Sequence, residues 1–101
     1  MSGRPVRIHS EAQKEIDEAF EKYFAASREV AERFLIEVDI SIERITASPK
    51  LYPRFSRKTR RRVLAEFPYS VIYQDKEDTV LIVAVAHAKR RPGYWAKRLK
   101  Q

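Results

Sequence analysis

Apolar and polar residues recur with two different periods along this chain, and the change of period separates a helical first half from a strand-rich second half. Residues 6–9 alternate apolar and polar side chains, which predicts a short strand with one buried face. Between residues 10 and 48 the apolar positions recur every three to four residues, as on two successive amphipathic helices. The two apolar stripes are Ala12, Ile16, Ala19, Phe20, Tyr23 and Phe24, followed by Ala31, Phe34, Leu35, Val38, Ile42 and Ile45.

Local signals predict where these helices begin and end. Ser10 and Gln13 have the spacing of a capping box, so the first helix is expected to start at Ser10. Ser27 can cap a second helix, and Pro49 cannot continue it, so that helix should end near Ser48. The two helices therefore form a hairpin with almost no loop.

The second half follows the two-residue period of strands. Alternation places Val63, Ala65 and Phe67 on one face of a second strand. Residues 70–74 are a further β-rich run, and residues 79–86 are nearly all apolar, as in a central strand covered on both faces. We therefore predict an α+β domain in the order β-α-α-β-β-β, a small antiparallel sheet with the helical hairpin packed on one face. The opposite face of the sheet must be partly covered by other residues, or it is a functional surface.

Length and composition limit the possible classes of protein. With 101 residues and 11.9 kDa, the chain can bury one core only, so residues 1–101 are expected to form a single domain. There is no cysteine, no apolar run of membrane-spanning length and no apolar core of a signal peptide near the N-terminus. We expect a cytoplasmic protein without a membrane partner.

Positive charge is concentrated in the second half of the chain. Residues 1–48 carry 7 Lys/Arg and 10 Asp/Glu, a balance of −3, whereas residues 49–101 carry 14 and 4, a balance of +10. A concentration of positive charge of this size attracts RNA, DNA or an acidic protein segment. Two basic groups stand out, one before the second strand and one in a basic tail at residues 88–101. The first is Arg57, Lys58, Arg60, Arg61 and Arg62; the second is Lys89, Arg90 and Arg91, beside His87, Tyr94 and Trp95.

The sequence contains little that supports a conventional catalytic site. The two glycines cannot form a phosphate-binding loop, and His9 and His87 lie far apart in sequence, so we expect neither a metal nor a cofactor. Cleavage of RNA needs no metal, only a base, an acid and positive charge on the developing oxyanion. Structural explanations compete with this one: a strand-end His87 is often only a hydrogen-bonding group, and Tyr94 and Trp95 can simply pack the tail onto the sheet.

Several short segments, each weak alone, occur in a characteristic order and spacing. They are Ser10-Glu11-Ala12, Arg33-Phe34-Leu35, Ser48-Pro49, Arg62-Val63-Leu64 with Phe67-Pro68-Tyr69, Val71-Ile72-Tyr73, and Val83-Ala84-Val85-Ala86-His87 with Arg90-Arg91-Pro92-Gly93-Tyr94-Trp95. Over about residues 6–99 this arrangement resembles the RelE/ParE toxin superfamily, which includes proteins known for plasmid stabilisation. The resemblance implies a toxin of a type II toxin–antitoxin system and a cognate antitoxin protein that wraps it.

The resemblance also implies two possible targets. RelE-like members cleave mRNA in the ribosomal A site, whereas ParE-like members inhibit DNA gyrase and have no demonstrated cleavage chemistry. RelE-like ribonucleases place a basic residue soon after the last strand and a tyrosine a few residues on, as Lys89, Arg90 and Tyr94 are placed here. RelE itself relies on lysines in mid-chain, where this chain is rich in arginine. We favour a metal-independent endoribonuclease acting with the ribosome on mRNA, with a gyrase inhibitor as the alternative.

For the cleavage hypothesis the expected catalytic residues are His87, Arg62, Arg90 and Tyr94. Arg62 and Arg90 would hold the scissile phosphate, His87 would transfer a proton, and Tyr94 would position a base. The prediction assumes that neighbouring strands bring Arg62 and His87 together. The residues expected to bind nucleic acid around them are Arg57, Lys58, Arg60, Arg61, Lys89, Arg91 and Trp95.

Overall fold

Two helices and four strands make up most of residues 4–100, the part of the chain that this computed structural model describes. The strands are β1 (Val6–Ile8), β2 (Arg60–Val63), β3 (Tyr69–Lys76) and β4 (Thr79–His87), and the helices are α1 (Ser10–Ala26) and α2 (Arg28–Ala47). A 3₁₀ helix, Ala96–Lys100, ends the described region. The α+β class and the predicted order of the elements are confirmed. Within the described residues, no helix has both the length and the apolarity that a membrane crossing requires.

The start of α1 differs from the prediction, whereas both limits of α2 agree with it. The residue before α1 is His9, whose Nδ1 accepts a hydrogen bond from the Glu11 amide at 3.0 Å, and Gln13 donates to Asp17 instead of reaching back. The predicted capping box is therefore wrong, because His9 supplies the acceptor for the Glu11 amide and Ser10 is already the first residue of the helix. Ser27 caps α2 as expected, with its Oγ 3.2 Å from the Val30 amide.

The four strands form one sheet in the order β1-β4-β3-β2. β3 is antiparallel to both β2 and β4, as predicted, but β1 pairs with β4 in parallel, so the sheet is mixed. β4, whose sequence is nearly all apolar, lies inside the sheet with β3 at one edge and β1 at the other, and both of its faces are covered. β1 supplies the second partner over three residues only.

α1 and α2 cover one face of the sheet, which we call the helix face. An aromatic cluster fills the space between them and the sheet: the Phe34 ring lies 5.5 Å from Tyr23, 5.4 Å from Phe67 and 5.3 Å from Tyr69, between ring centroids. Phe34 is fully buried. The predicted apolar stripes thus face the sheet, although Phe24 at the edge of the first stripe is 45% exposed.

A β-bulge changes which residues of β4 face the helices. Ile72 pairs with Ala84 and Tyr73 pairs with Ile82, so Val83 has no opposite residue on β3. Even-numbered positions before the bulge face the helices, and odd-numbered positions do so after it. Val85 therefore joins the core under the helices, and His87 ends β4 against Tyr69.

The predicted alternation over residues 61–67 is wrong after Val63. Val63 is exposed and Phe67 is 7% exposed, although the alternation puts both on one face, and Leu64 from the other predicted face also enters the core, at 4% exposure. The physical cause is Glu37 of α2, whose carboxylate accepts hydrogen bonds from the backbone amides of residues 65 and 66 and curls the chain away from the sheet.

The C-terminal segment covers the second face of the sheet, which we call the outer face. Trp95 is 3% exposed and packs with Ile72, Val83, Ala84 and Ala86. This cover resolves the open question about the second face, because the tail turns most of it into a second small core.

Candidate functional site

The two basic regions of the sequence meet in a small pocket on the outer face. Arg61 from β2, His87 from the end of β4 and Arg90 from the following turn all line this cavity of about 70 Å³, which we call the arginine pocket. Phe55 and Trp95 form its aromatic wall. The pocket is therefore the place where an anionic group on a partner would meet two guanidinium groups together.

Aromatic rings hold both guanidinium groups in place. The Arg61 Cζ lies 4.0 Å from the Phe55 ring centroid, and the Arg90 Cζ lies 3.8 Å from that of Tyr94. Phe55 stacks on Trp95 with centroids 5.5 Å apart, and Trp95 meets Tyr94 edge-on at 5.4 Å. These contacts form one row from Arg61 to Arg90, and each cation–ring contact contributes on the order of 1 kcal/mol. Trp95 is buried in this row, which fits the alternative that it packs the tail onto the sheet, and its contact with nucleic acid stays a prediction.

His87 is fixed by the turn that follows β4. Its Nδ1 accepts from the Lys89 amide at 3.0 Å, and its carbonyl accepts from the Arg90 amide at 3.0 Å. The ring packs edge-on against Tyr69, with centroids 5.0 Å apart. In the neutral imidazole the proton must then be on Nε2, so the ring can offer a ligand a donor but not a base.

Tyr94 is held by a buried acidic residue that the sequence analysis did not identify. Its hydroxyl donates to Glu15 Oε2 at 2.8 Å. Burial and this bond to Glu15 raise the pKa of Tyr94 well above its ordinary value. The hydroxyl is therefore a poor proton donor, and the Arg90 guanidinium covers the ring.

Glu15 also forms a salt bridge with Arg98 of the 3₁₀ helix, and both side chains are largely buried, at 13% and 14% exposure. The pair forms hydrogen bonds with the edge of β4 beyond Ile82, where the pairing of β4 with β1 ends. Glu15 Oε1 accepts from the Val85 amide at 3.0 Å, and Arg98 donates to the Val83 carbonyl at 3.1 Å. One signal in the sequence could have revealed Glu15: it lies three residues after Ala12 and four before Ala19, inside the apolar stripe.

Arg62 lies apart from the arginine pocket. Its Nε donates to Ser41 of α2 at 3.1 Å, and its Cζ lies 5.4 Å from the Tyr52 ring centroid. The expected meeting of Arg62 with His87 is wrong because β3 separates β2 from β4. Alternate residues of β2 face opposite sides, so Arg61 and not Arg62 reaches the outer face.

The other predicted binding residues divide between two places. Lys89 and Arg91 are exposed beside the arginine pocket. Arg57 and Lys58 belong to the loop before β2, and Arg60 is the first residue of β2, where it pairs with Tyr73 on the side of the β3–β4 turn. The described residues contain no group of three or more His, Asp or Glu side chains arranged to hold a metal ion.

Comparison with known proteins defines the class. A chain in the solved structure of the chromosomal ParDE TA system from P. aeruginosa superposes with a TM-score of 0.74, over 83% of this chain and 95% of that one, at 14% identity. This likeness shows the fold: a helical hairpin packed on one face of a sheet.

Sequence comparison then identifies the family. The proteins named Toxin ParE2 in the CDC 1551 / Oshkosh and ATCC 25618 / H37Rv strains of Mycobacterium tuberculosis are each 28% identical over 90 residues, covering 88% of this chain and 86% of theirs. The family described as ParE toxin of type II toxin-antitoxin system, parDE, matches residues 6–92. The chain belongs to this ParE toxin family, which confirms the predicted membership of the RelE/ParE superfamily.

Proposed function

We propose that this type II toxin acts by binding DNA gyrase and not by cleaving mRNA. The observation that carries the proposal is the placement of the residues expected to cleave. Tyr94 is bound to Glu15, Arg62 is held under α2, and His87 uses Nδ1 in a backbone turn. This placement does not favour the expected cleavage site, and ParE-like members of the superfamily act on gyrase without demonstrated cleavage.

The outer face has the properties of a protein-binding surface. Arginine and aromatic side chains dominate the energetics of many protein interfaces, especially where neighbouring contacts hold them rigid. Here the row from Arg61 to Arg90 is fixed before any partner arrives. A rigid surface loses little side-chain entropy on binding.

Neutralisation would come from a cognate antitoxin, as membership of the family suggests. A carboxylate from an antitoxin segment fits the arginine pocket, where it would pair with Arg61 and Arg90. Covering the pocket in this way would block the surface that we assign to the target.

Cleavage of mRNA remains the second candidate because of one observation. Arg61, His87 and Arg90 line the same pocket, so a phosphate there would meet two guanidinium groups beside the strand end that carries His87. In that mechanism Arg61 takes the place that the sequence analysis gave to Arg62.

Induction of the toxin in growing cells separates the two functions. Gyrase inhibition predicts altered plasmid supercoiling and a DNA-damage response within the first minutes, while message length stays intact. These are measured by chloroquine gels and by northern blots of abundant messages. Messages cut at codon boundaries with unchanged plasmid topology would refute the gyrase proposal and establish the second candidate.

His87→Asn tests the same point inside the protein. The Oδ1 of asparagine takes the position of the histidine Nδ1 and can accept from the Lys89 amide. Asparagine cannot transfer a proton at neutral pH, and losing such a group costs a factor of roughly 10²–10⁴ in rate. We expect the variant to arrest growth at the same induction level as the wild-type protein. A loss of toxicity with an unchanged melting temperature would contradict gyrase binding and assign His87 to catalysis.

A further inference from the structure

A second basic surface lies in the loop between α2 and β2 and at the first residue of β2, and it shares no lining residue with the arginine pocket. Four of its cationic side chains and Thr59 line a polar cavity of about 140 Å³ together with Asp75. Arg57 is exposed at the tip of the same loop. We call the cationic residues the loop cluster; they are Lys50, Arg54, Arg57, Lys58 and Arg60.

The backbone of this loop is held in one shape. The Phe55 amide donates to the Thr59 carbonyl at 2.9 Å, and the hydroxyl oxygens of Ser56 and Thr59 are 2.6 Å apart. Thr59 is only 1% exposed, so it anchors the turn in the protein. Arg60 donates to the Tyr52 carbonyl at 2.8 Å, which fixes its guanidinium at the base of the cavity.

The charge of the loop cluster is not neutralised locally. Asp75 is the one carboxylate in the lining, and Lys50 and Arg4 both bind it. Burial alone would raise the pKa of Asp75, but these hydrogen bonds and charges hold it below its ordinary value. The remaining acids nearby, Glu77 and Asp78, are exposed on the β3–β4 turn. Arg54, Arg57 and Lys58 therefore present uncompensated charge to solvent.

We propose that the loop cluster binds the phosphodiester backbone of duplex nucleic acid, independently of sequence. The lining contains no apolar or aromatic side chain, so it offers neither a hydrophobic anchor for a protein nor a platform for unstacked bases. Leu51 is exposed in the same loop but does not line the cavity. Cationic side chains on a rigid turn suit phosphates, which contribute affinity without reading bases. The inference does not depend on the identity of the toxin's target.

Fluorescence anisotropy with a labelled mixed-sequence DNA duplex tests the proposal on the full chain without gyrase. The test variant is Arg54→Ala/Arg57→Ala/Lys58→Ala, and the control is Lys14→Ala/Arg28→Ala/Arg33→Ala. Both sets remove three exposed positive charges, but the control residues lie on α1 and α2. We expect the loop variant to lose at least roughly tenfold in affinity and about 2.7 units of the log–log salt slope, at about 0.9 for each phosphate contact removed. The control should stay close to the wild-type protein, with unchanged melting temperatures for both.

Two further probes test whether the phosphates can come from RNA as well as DNA, and whether an acidic protein binds in place of nucleic acid. A duplex RNA of the same sequence, bound with the same dependence on the loop cluster, supports backbone recognition and extends it to RNA. Polyglutamate that displaces the duplex as effectively as unlabelled DNA, at equal charge, would instead indicate an acidic protein partner and overturn the proposal. Equal losses in the loop and control variants, or no binding by the wild-type protein at low salt, would also overturn it.

Discussion

Replacing Glu15 by alanine is expected to lower the free energy of unfolding by about 3 kcal/mol or more, because it leaves the Arg98 guanidinium largely buried without a counter-charge. The same change removes the acceptor for the Val85 amide and the Tyr94 hydroxyl. For a domain of this size the melting temperature should fall by roughly 12 °C or more. Thermal melts followed by circular dichroism measure this change.

The single tryptophan of the chain reports the same event locally. If the Glu15–Arg98 pair holds the tail against β4, Trp95 emission should shift to the red in the Glu15→Ala variant at temperatures below global unfolding. Glu15→Gln should be less destabilising, since the amide oxygen still accepts one bond. Glu21→Ala removes an exposed acid from the same helix and serves as the control. Equal melting temperatures for the Glu15 and Glu21 alanine variants would show that the pair contributes nothing to stability.

The helices were predictable because a single local rule governs them. Residues along the centre of the apolar stripe of a helix face the sheet whatever its strand order, and Phe34 and Val38 follow this rule. Pro49 ends α2 through its own ring and also needs no tertiary context. The sequence therefore sufficed for the hairpin, the fold class and the family.

The candidate site was less predictable because it depends on strand order and on one bulge. Whether Arg61 or Arg62 reaches the outer face depends on the pairing of β2 with β3, and neither residue type indicates which one does so. The bulge at Val83 reverses the facing of β4 before His87, and nothing in the run of apolar residues marks it. The sequence identifies the two basic segments, but the pairing of the strands decides which of their side chains meet in the arginine pocket.

Trp95 shows the same limit, since a lone tryptophan among basic residues fits either base stacking or burial. The structure places it at 3% exposure, stacked on Phe55 and packed against β3 and β4. Its large apolar area makes it the main cover of the outer face.

Trp95→Ala is accordingly expected to cost about 3–5 kcal/mol of unfolding free energy, the range for emptying a buried aromatic site. Much of the stability of a typical small domain would be lost, so the variant should melt far below the wild-type protein and expose the arginine pocket to solvent. Trp95→Phe keeps a ring to stack on Phe55 and should retain more of the stability in urea titrations at constant temperature. This comparison separates burial from recognition. A Trp95→Ala protein that melts like the wild type but no longer arrests growth would mean that the ring acts on a partner. The row of rings between Arg61 and Arg90 would then be a binding surface in its own right and not the support for two arginines.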